Sequence, residues 1–167
     1  MDENCRIDKK VWDLVIDQGW LALDVPEEDG GLGFSNTDTA ILSEVLGYYM
    51  PIIPIFSSGV VFKQILMNSK KEKKDELLPE IISGEKIGTF AVYESDKYEI
   101  NKDTINTQLT TVDSGYILSG NKKYVMFGDV SDYIAVLAKH EDGCKFVLVS
   151  TNSDGVIIKE TTSLDQT

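Results

Sequence analysis

The chain has 167 residues, of which 42% are hydrophobic and 26% are charged, and its formal net charge is −12. This length allows one domain or two small ones, and the hydrophobic fraction is ordinary for a chain that builds a core. The acidic balance counts against binding to nucleic acid, which needs a basic face, and no apolar run is long enough to cross a bilayer.

The first predicted element is a helix that begins after an N-cap at Asp8 and ends at Gly19. Apolar side chains recur at helical spacing between these two residues, at Val11, Leu14 and Val15. Glycine is the residue that most easily closes a helix in the left-handed conformation. The pattern therefore predicts a short amphipathic helix at the start of a helical region.

A glycine-rich segment, GWLALDVPEEDGGLGFS, follows from Gly19 to Ser35. Gly30, Gly31 and Gly33 permit positive φ or a close approach of the backbone to another group. Pro26 stops any regular element within the segment. We therefore expect a shaped loop held between two helices rather than a slack linker.

Three further helices are predicted before residue 86. Ser35 and Asp38 are spaced as a capping box, and an apolar stripe follows them. The stripe consists of Ile41, Leu42, Val45, Leu46 and Tyr49. Ser57 or Ser58 is the expected cap of a third helix with Val61, Ile65 and Leu66 facing inward. The charged run over residues 70–76 is interpreted as the solvated start of a helix that ends at Gly84.

The second half of the chain changes to short β-rich segments separated by turn residues. The segments cover residues 87–93, 105–112, 116–119, 124–127, 133–138, 145–149 and 156–160. Asp-Gly and Ser-Gly steps at the breaks are typical of hairpins. The predicted fold is therefore α+β, with a helical N-terminal domain over residues 1–86 and an antiparallel β-barrel domain over residues 87–167.

The glycine-rich segment resembles a segment near the start of the acyl-CoA dehydrogenase family, and five further motifs follow in the family's order. They are Glu44–Gly47 (E-x-L-G), Leu77–Glu85 (yLP-x-i-x-sGe), Tyr116–Lys122 (y-x-l-n-G-x-K), Asp132–Lys139 (aD-x-x-v-v-a-r) and Leu164–Thr167. The resemblance implies the N-terminal helical and middle β-barrel domains of longer flavoproteins. Because the middle domain of the family is expected to be an antiparallel barrel, parallel crossovers in the second half of this chain would count against the resemblance.

The resemblance also implies a function in fatty acid metabolism. Members of the acyl-CoA dehydrogenase family are oxidoreductases that dehydrogenate a fatty acyl-CoA thioester at the α,β bond and pass hydride to FAD. Two family motifs face the flavin, and both are altered in this chain. The positions that correspond to them, and that we expect to face the cofactor, are Phe90, Val92, Tyr93, Tyr124 and Met126. Tyr124 can stack on a flavin ring, whereas Met126 replaces a hydroxyl residue and has no donor.

The family's catalytic glutamate lies in a C-terminal helical bundle, so we expect no catalytic residue in this chain, which is either a fragment or a chain completed by a partner. The resemblance implies an acyl-CoA substrate and a homo-oligomer in the full-length form. An alternative left open is a non-catalytic assembly or acyl-CoA-binding module, which the altered flavin motifs and the missing base favour.

Other candidate sites are given ordinary structural interpretations. His140 is expected to be an exposed turn residue, and Glu94 with Asp96 a polar strand end rather than an acid–base pair. Cys5 and Cys144 are the only cysteines, so neither a disulfide framework nor a zinc site is expected. A reduced, cytoplasmic location follows from this cysteine usage.

Overall fold

The computed structural model describes residues 7–95, 100, 103–113 and 115–160. The chain divides into two compact units, the first ending at Ile87 and the second beginning at Gly88. The first unit contains α1 (Lys9–Asp17), 3₁₀ turns at Trp20–Ala22 and Glu27–Asp29, α2 (Asn36–Tyr49), a π-helix (Ile55–Phe62), α3 (Lys63–Met67) and α4 (Lys71–Ile82). Among the described residues, no helix combines the length and apolarity needed to span a membrane.

Helix α1 begins and ends where the sequence predicts. The Asp8 carboxylate accepts a hydrogen bond from the Val11 backbone N–H at 3.2 Å, which confirms the N-cap. Gly19 follows the helix with φ +69°, in the left-handed region. Trp12 and Val15 are buried in a cluster that also includes Leu21 and Ile53. This cluster is the apolar contact that holds α1 in the first unit.

The glycine-rich segment folds into a shaped loop, as predicted. Its two limbs are joined by backbone hydrogen bonds, including one of 3.0 Å from the Leu32 N–H to the Ala22 carbonyl. A Cβ atom on Gly31 would lie 2.1 Å from the Val25 carbonyl oxygen, so a side chain does not fit there. The close approach of two backbones, rather than positive φ, therefore requires glycine at position 31.

Helix α2 is capped as predicted, and its apolar stripe is largely exposed. The Asp38 carboxylate accepts hydrogen bonds from both the N–H and the hydroxyl of Ser35, at 2.9 and 2.6 Å. None of the residues of α2, all of which the structure describes, is buried. Ile41 and Val45 are at least half exposed, and only Leu46 packs against the core cluster. The predicted apolar stripe is therefore largely exposed and contacts the core cluster through Leu46.

The predicted third helix begins with a π-helix instead of a serine cap. Ser57 and Ser58 lie inside it, fully buried, so the prediction that either caps an α-helix is wrong. Gly59 faces Leu21 so closely that an added Cβ would lie 2.8 Å from the leucine side chain. Helix α4 then begins in the charged run and is followed by Gly84, with φ +72°, as expected.

The described part of the second unit contains a five-stranded mixed sheet. Its strands are β1 (Gly88–Ala91), β2 (Gln108–Val112), β3 (Gly115–Ser119), β4 (Tyr133–His140) and β5 (Gly143–Ser150). Strand β5 pairs antiparallel with β4 along its full length, and β3 pairs antiparallel with β2. On the other edge of β4, β1 and β2 both pair in the parallel direction.

This topology corrects the prediction of an antiparallel barrel. Two of the predicted hairpins, β2–β3 and β4–β5, are present, but the pairings of β4 with β1 and β2 are parallel. Residue alternation does not encode strand direction, because side chains alternate in the same way in both kinds of ladder. Residues 124–127 and 156–160, also predicted as strands, are irregular. Tyr124 and Phe127 have positive φ, which a strand does not allow.

Candidate functional site

A corner of the second unit brings together four of the five predicted site residues. It consists of the segment that follows β1, with Val92 and Tyr93, and the loop before β4, with Tyr124 and Met126. The Lys123 N–H donates to the Tyr93 carbonyl at 2.8 Å, next to Tyr124 in the chain. The two segments therefore lie side by side, and we call them the Tyr93–Tyr124 corner.

A second hydrogen bond ties the far end of the corner to the sheet. The hydroxyl of Thr89, a fully buried residue of β1, donates to the Met126 carbonyl at 2.6 Å. Positive φ at Tyr124 (+57°) and Phe127 (+53°) is uncommon for residues with side chains and costs on the order of 1 kcal/mol or more at each. This tie to β1 helps to hold the strained turn in place.

The corner presents an aromatic ring and a thioether to solvent. Tyr124 is 48% exposed and Met126 is 47% exposed. Phe90, the fifth predicted residue, lies in β1 next to Thr89, and adjacent strand residues point to opposite faces. Phe90 is thus on the face of β1 opposite the hydroxyl that holds Met126. The structure groups four predicted residues and places the fifth across the strand.

An ion pair that the sequence analysis did not identify lies behind the corner. Lys122 Nζ donates to Glu94 Oε1 at 2.7 Å and to the Val92 carbonyl at 3.2 Å. Glu94 also accepts hydrogen bonds from the backbone N–H groups of Asn106 and Thr107, at 2.6 and 2.9 Å. Both charged side chains are only 8% exposed. Lys122 belongs to a motif that carries the resemblance, and Glu94 directly follows Tyr93 in one of the two altered flavin motifs, so these positions were the available signal.

The environment of Glu94 keeps it ionised. Burial raises the pKa of its carboxyl, but hydrogen bonds from Lys122, Thr107 and Asn106 outweigh this and lower the pKa from 4.5 to about 2. A carboxylate with so low a pKa is a poor proton carrier near neutral pH. The interpretation that Glu94 is not half of an acid–base pair therefore agrees with its surroundings, and Asp96 lies outside the described residues.

The chemistry of the corner fits a flat aromatic ligand such as the isoalloxazine ring that the resemblance implies. Tyr124 offers a half-exposed aromatic face, and Met126 a polarisable sulfur of the kind that packs well on aromatic rings. Polar groups are sparser, because Val92 and Met126 have no side-chain donor and their carbonyls already accept hydrogen bonds from Lys122 and Thr89. The fit is therefore to the ring face more than to its polar edge.

A second polar cluster lies at the far end of the sheet. His140 ends β4, its side chain is only 12% exposed, and its ring nitrogens contact Asp142 and, at 3.2 Å, the Thr111 hydroxyl. The expectation of an exposed turn histidine is therefore wrong. Hydrogen bonds from Lys145 and then His140 lower the pKa of Asp142 from 3.8 to about 2. In the described ranges, no three His, Cys, Asp or Glu side chains form a metal-binding group.

Comparison with known proteins supplies an independent line of information. Residues 1–85 match the family model described as "Acyl-CoA dehydrogenase, N-terminal domain". The very long-chain specific acyl-CoA dehydrogenase of Bos taurus, a mitochondrial protein, is 30% identical over 141 residues, which are 80% of this chain and 21% of that protein. A probable acyl-CoA dehydrogenase of Bacillus subtilis is 30% identical over 151 residues, covering 87% of this chain and 24% of that protein. The chain thus spans about a quarter of the length of these relatives.

Solved structures share the fold of the chain. The ChsE4–ChsE5 complex from Mycobacterium tuberculosis matches with a TM-score of 0.81 and 26% identity, covering 95% of this chain and 42% of that chain. A glutaryl-CoA dehydrogenase from Mycobacterium smegmatis, solved in complex with FADH2, matches with a TM-score of 0.77 and 23% identity, covering 89% and 39%. These matches extend across both units, so parallel pairing in the sheet does not count against the resemblance, contrary to the sequence-based expectation.

Proposed function

Because the chain belongs to the acyl-CoA dehydrogenase family, we propose that it forms part of a flavoprotein that oxidises a fatty acyl-CoA thioester at the α,β bond, with FAD as hydride acceptor. The observation that carries this proposal is the Tyr93–Tyr124 corner. Two segments far apart in sequence are hydrogen-bonded there, and by the resemblance they correspond to the family's two flavin motifs, both of which are altered in this chain. Their half-exposed side chains fit a planar aromatic ring.

Each residue of the corner has a proposed role. The Tyr124 ring packs against the flavin, and Met126 extends the apolar contact beside it. Val92 and Tyr93 line the opposite side of the corner. Phe90 is proposed to add an apolar contact, although it lies on the other face of β1. The bound flavin would supply the acceptor for the hydride that leaves the β-carbon. The chain's own contribution is to bind and orient that ring.

Removal of the α-proton is assigned to a base outside the described residues. Glu94 is the carboxylate closest in sequence to the corner residues, but both of its oxygens are occupied by Lys122 and by backbone N–H groups. Its low pKa also makes it a weak base. Within the described residues we therefore propose cofactor-binding groups and no catalytic one.

The test is flavin binding by the purified protein. We expect a flavin absorbance spectrum after purification or, if the cofactor is lost, stoichiometric uptake of added FAD in a calorimetric titration. A colourless protein that takes up no added FAD would refute the cofactor part of the proposal. The remaining proposals are a homo-oligomer in the full-length form, for which the exposed face of α2 is a candidate surface, and a cytoplasmic location, although several relatives are mitochondrial.

One observation favours a second candidate function, a module that holds acyl-CoA without oxidising it. Met126 has no hydroxyl, and its carbonyl is already bonded to Thr89, so this position offers little to a reduced flavin. Calorimetry with an acyl-CoA in the absence of flavin separates the two functions. Binding of acyl-CoA by a protein that takes up no FAD would support the module, and flavin uptake would support the enzyme.

A further inference from the structure

We propose that Glu94 and Lys122 act as positioning residues that hold the two limbs of the Tyr93–Tyr124 corner in register for a planar ligand. This inference rests on the proposed function, since the ligand is the flavin assigned above. Neither residue is proposed to touch the cofactor. They act through the backbone next to them, because Glu94 follows Tyr93 directly and Lys122 is two residues before Tyr124.

The Glu94 carboxylate connects several segments of the second unit. One carboxylate joins three connecting segments of the sheet: its own segment after β1, the residues before β2 through the N–H groups of Asn106 and Thr107, and the loop before β4 through Lys122. Lys122 also contacts the segment after β1 directly, because it donates a hydrogen bond to the Val92 carbonyl at 3.2 Å. A displacement of any one segment therefore has to break or stretch a contact of this pair.

The ion pair of Glu94 and Lys122 is largely buried. Each side chain is 8% exposed, so the pair is shielded from solvent and its hydrogen bonds are directional restraints. A buried ion pair contributes little net stability compared with apolar residues of the same shape, because both charges lose their hydration. In the proposed role, the pair of Glu94 and Lys122 specifies one arrangement of the corner more than it strengthens the fold. That role suits a corner whose turn contains positive φ at Tyr124.

The loop that carries Lys122 approaches Thr107 closely at Gly120. A Cβ atom at this position would lie 2.4 Å from the hydroxyl oxygen of Thr107, the same residue whose backbone N–H donates to Glu94. The loop that carries Lys122 and Tyr124 is therefore seated directly on the segment before β2. Glycine at position 120 and the ion pair act at the same junction, one by allowing contact and the other by directing it.

The experiment separates positioning from stability with three variants, Glu94→Gln, Lys122→Met and the double variant. Each single variant leaves one buried charge without its partner and is expected to lower the melting temperature. The double variant removes both charges, so its melting temperature is expected to return most of the way to that of the unaltered protein. Its FAD dissociation constant, however, is expected to stay raised about tenfold, because the register is not restored.

Two further measurements make the result decisive. Lys145→Met breaks an exposed pair with Asp142 elsewhere in the same unit and is expected to leave the FAD dissociation constant unchanged. Amide hydrogen exchange reports the corner without any ligand. In the double variant the Lys123 amide, which donates to Tyr93, should exchange about tenfold faster, while the Ile134 amide in β4 keeps its protection.

The outcomes are distinguishable. Unchanged exchange at Lys123, or a double variant that binds FAD with the affinity of the unaltered protein, would overturn the positioning role. An unaltered protein that takes up no FAD would overturn the proposed function. In that case, the exchange of the Lys123 amide still supports or overturns the role of Glu94 and Lys122 in holding the corner.

Discussion

The Nζ of Lys63 donates a hydrogen bond at 2.9 Å to the carbonyl oxygen of Leu21, a residue 42 positions earlier in the chain. The same ammonium group pairs with Asp24, and the two side chains are only 1% and 4% exposed. Lys63 directly follows the π-helix, and Leu21 and Asp24 belong to the start of the glycine-rich loop. This contact therefore anchors the loop to the helices of the first unit.

Removal of the Lys63 ammonium should destabilise the first unit. In Lys63→Met, Asp24 remains buried without its cation, and we expect a loss of about 3–5 kcal/mol in the free energy of unfolding. Trp12 and Trp20, the chain's two tryptophans, both lie in this unit, so their fluorescence in a urea titration reports the change. The matched control is Lys9→Met, which breaks an exposed pair with Asp13 and should cost less than about 0.5 kcal/mol. Equal effects of the two substitutions would contradict the anchoring role.

Two glycine substitutions should have opposite effects on stability. Gly31→Ala places a Cβ atom 2.1 Å from the Val25 carbonyl oxygen. We therefore expect the free energy of unfolding to fall by about 1–3 kcal/mol, because the loop is forced apart. Gly47→Ala, in the exposed helix α2, places a Cβ where no atom lies within 4 Å and should stabilise the protein by about 0.5–1 kcal/mol. Melting curves of the two variants test this, and a tolerated Gly31→Ala would show that the loop is not tightly closed.

Stability should fall in acid because of Glu94. The pKa of this carboxyl is lowered from 4.5 to about 2 in the folded state, so the unfolded chain binds the proton first as the pH falls. The contribution of Glu94 is fully present above its unfolded pKa and is lost between about pH 4.5 and pH 2. Urea titrations of the second unit, followed by sheet amide signals, should show this slope. It should be shallower in Glu94→Gln, and an identical slope would contradict the assignment.

The exposed face of α2 should tolerate charge. Tyr48 is 84% exposed and Val45 is half exposed, so Tyr48→Lys and Val45→Lys should change the free energy of unfolding by no more than about 0.5 kcal/mol. If this face mediates association, both should reduce self-association in sedimentation velocity. Leu46→Lys is the control that should destabilise, because Leu46 packs against the core cluster. Unfolding by Tyr48→Lys would mean that the face is covered within the chain.

The features that local chemistry determines could be predicted from the sequence. The Asp8 cap, the capping box of Ser35 and Asp38, and the glycine that follows α4 depend on residues within one turn of each other. The family resemblance likewise rested on short ordered motifs, and the comparisons confirm it. These signals survive because no distant contact competes with them.

The features that distant contacts determine could not be predicted. Residues 124–127 have the composition of a strand, but Thr89, 37 positions before Met126, holds them in a turn. The π-helix is packed against Leu21 through Gly59, and nothing local marks its register. Strand direction around β4 follows from the long connections between β1 and β2 and between β3 and β4, not from alternation. Lys122 stood in a recognised motif and Glu94 in an altered one, but only the fold shows that the two side chains meet.

The proposed flavin-binding role of the corner is tested most directly by an FAD titration of Tyr124→Ala beside Tyr116→Ala. Tyr116 is an exposed tyrosine of β3 that contacts the ring of His140 rather than the corner, so it matches the substitution without touching the proposed site. We expect Tyr124→Ala to weaken FAD binding at least about tenfold, which corresponds to the loss of one aromatic stacking contact, while Tyr116→Ala binds as the unaltered protein does. Equal affinities in the two variants would contradict the assignment of the corner as the flavin wall.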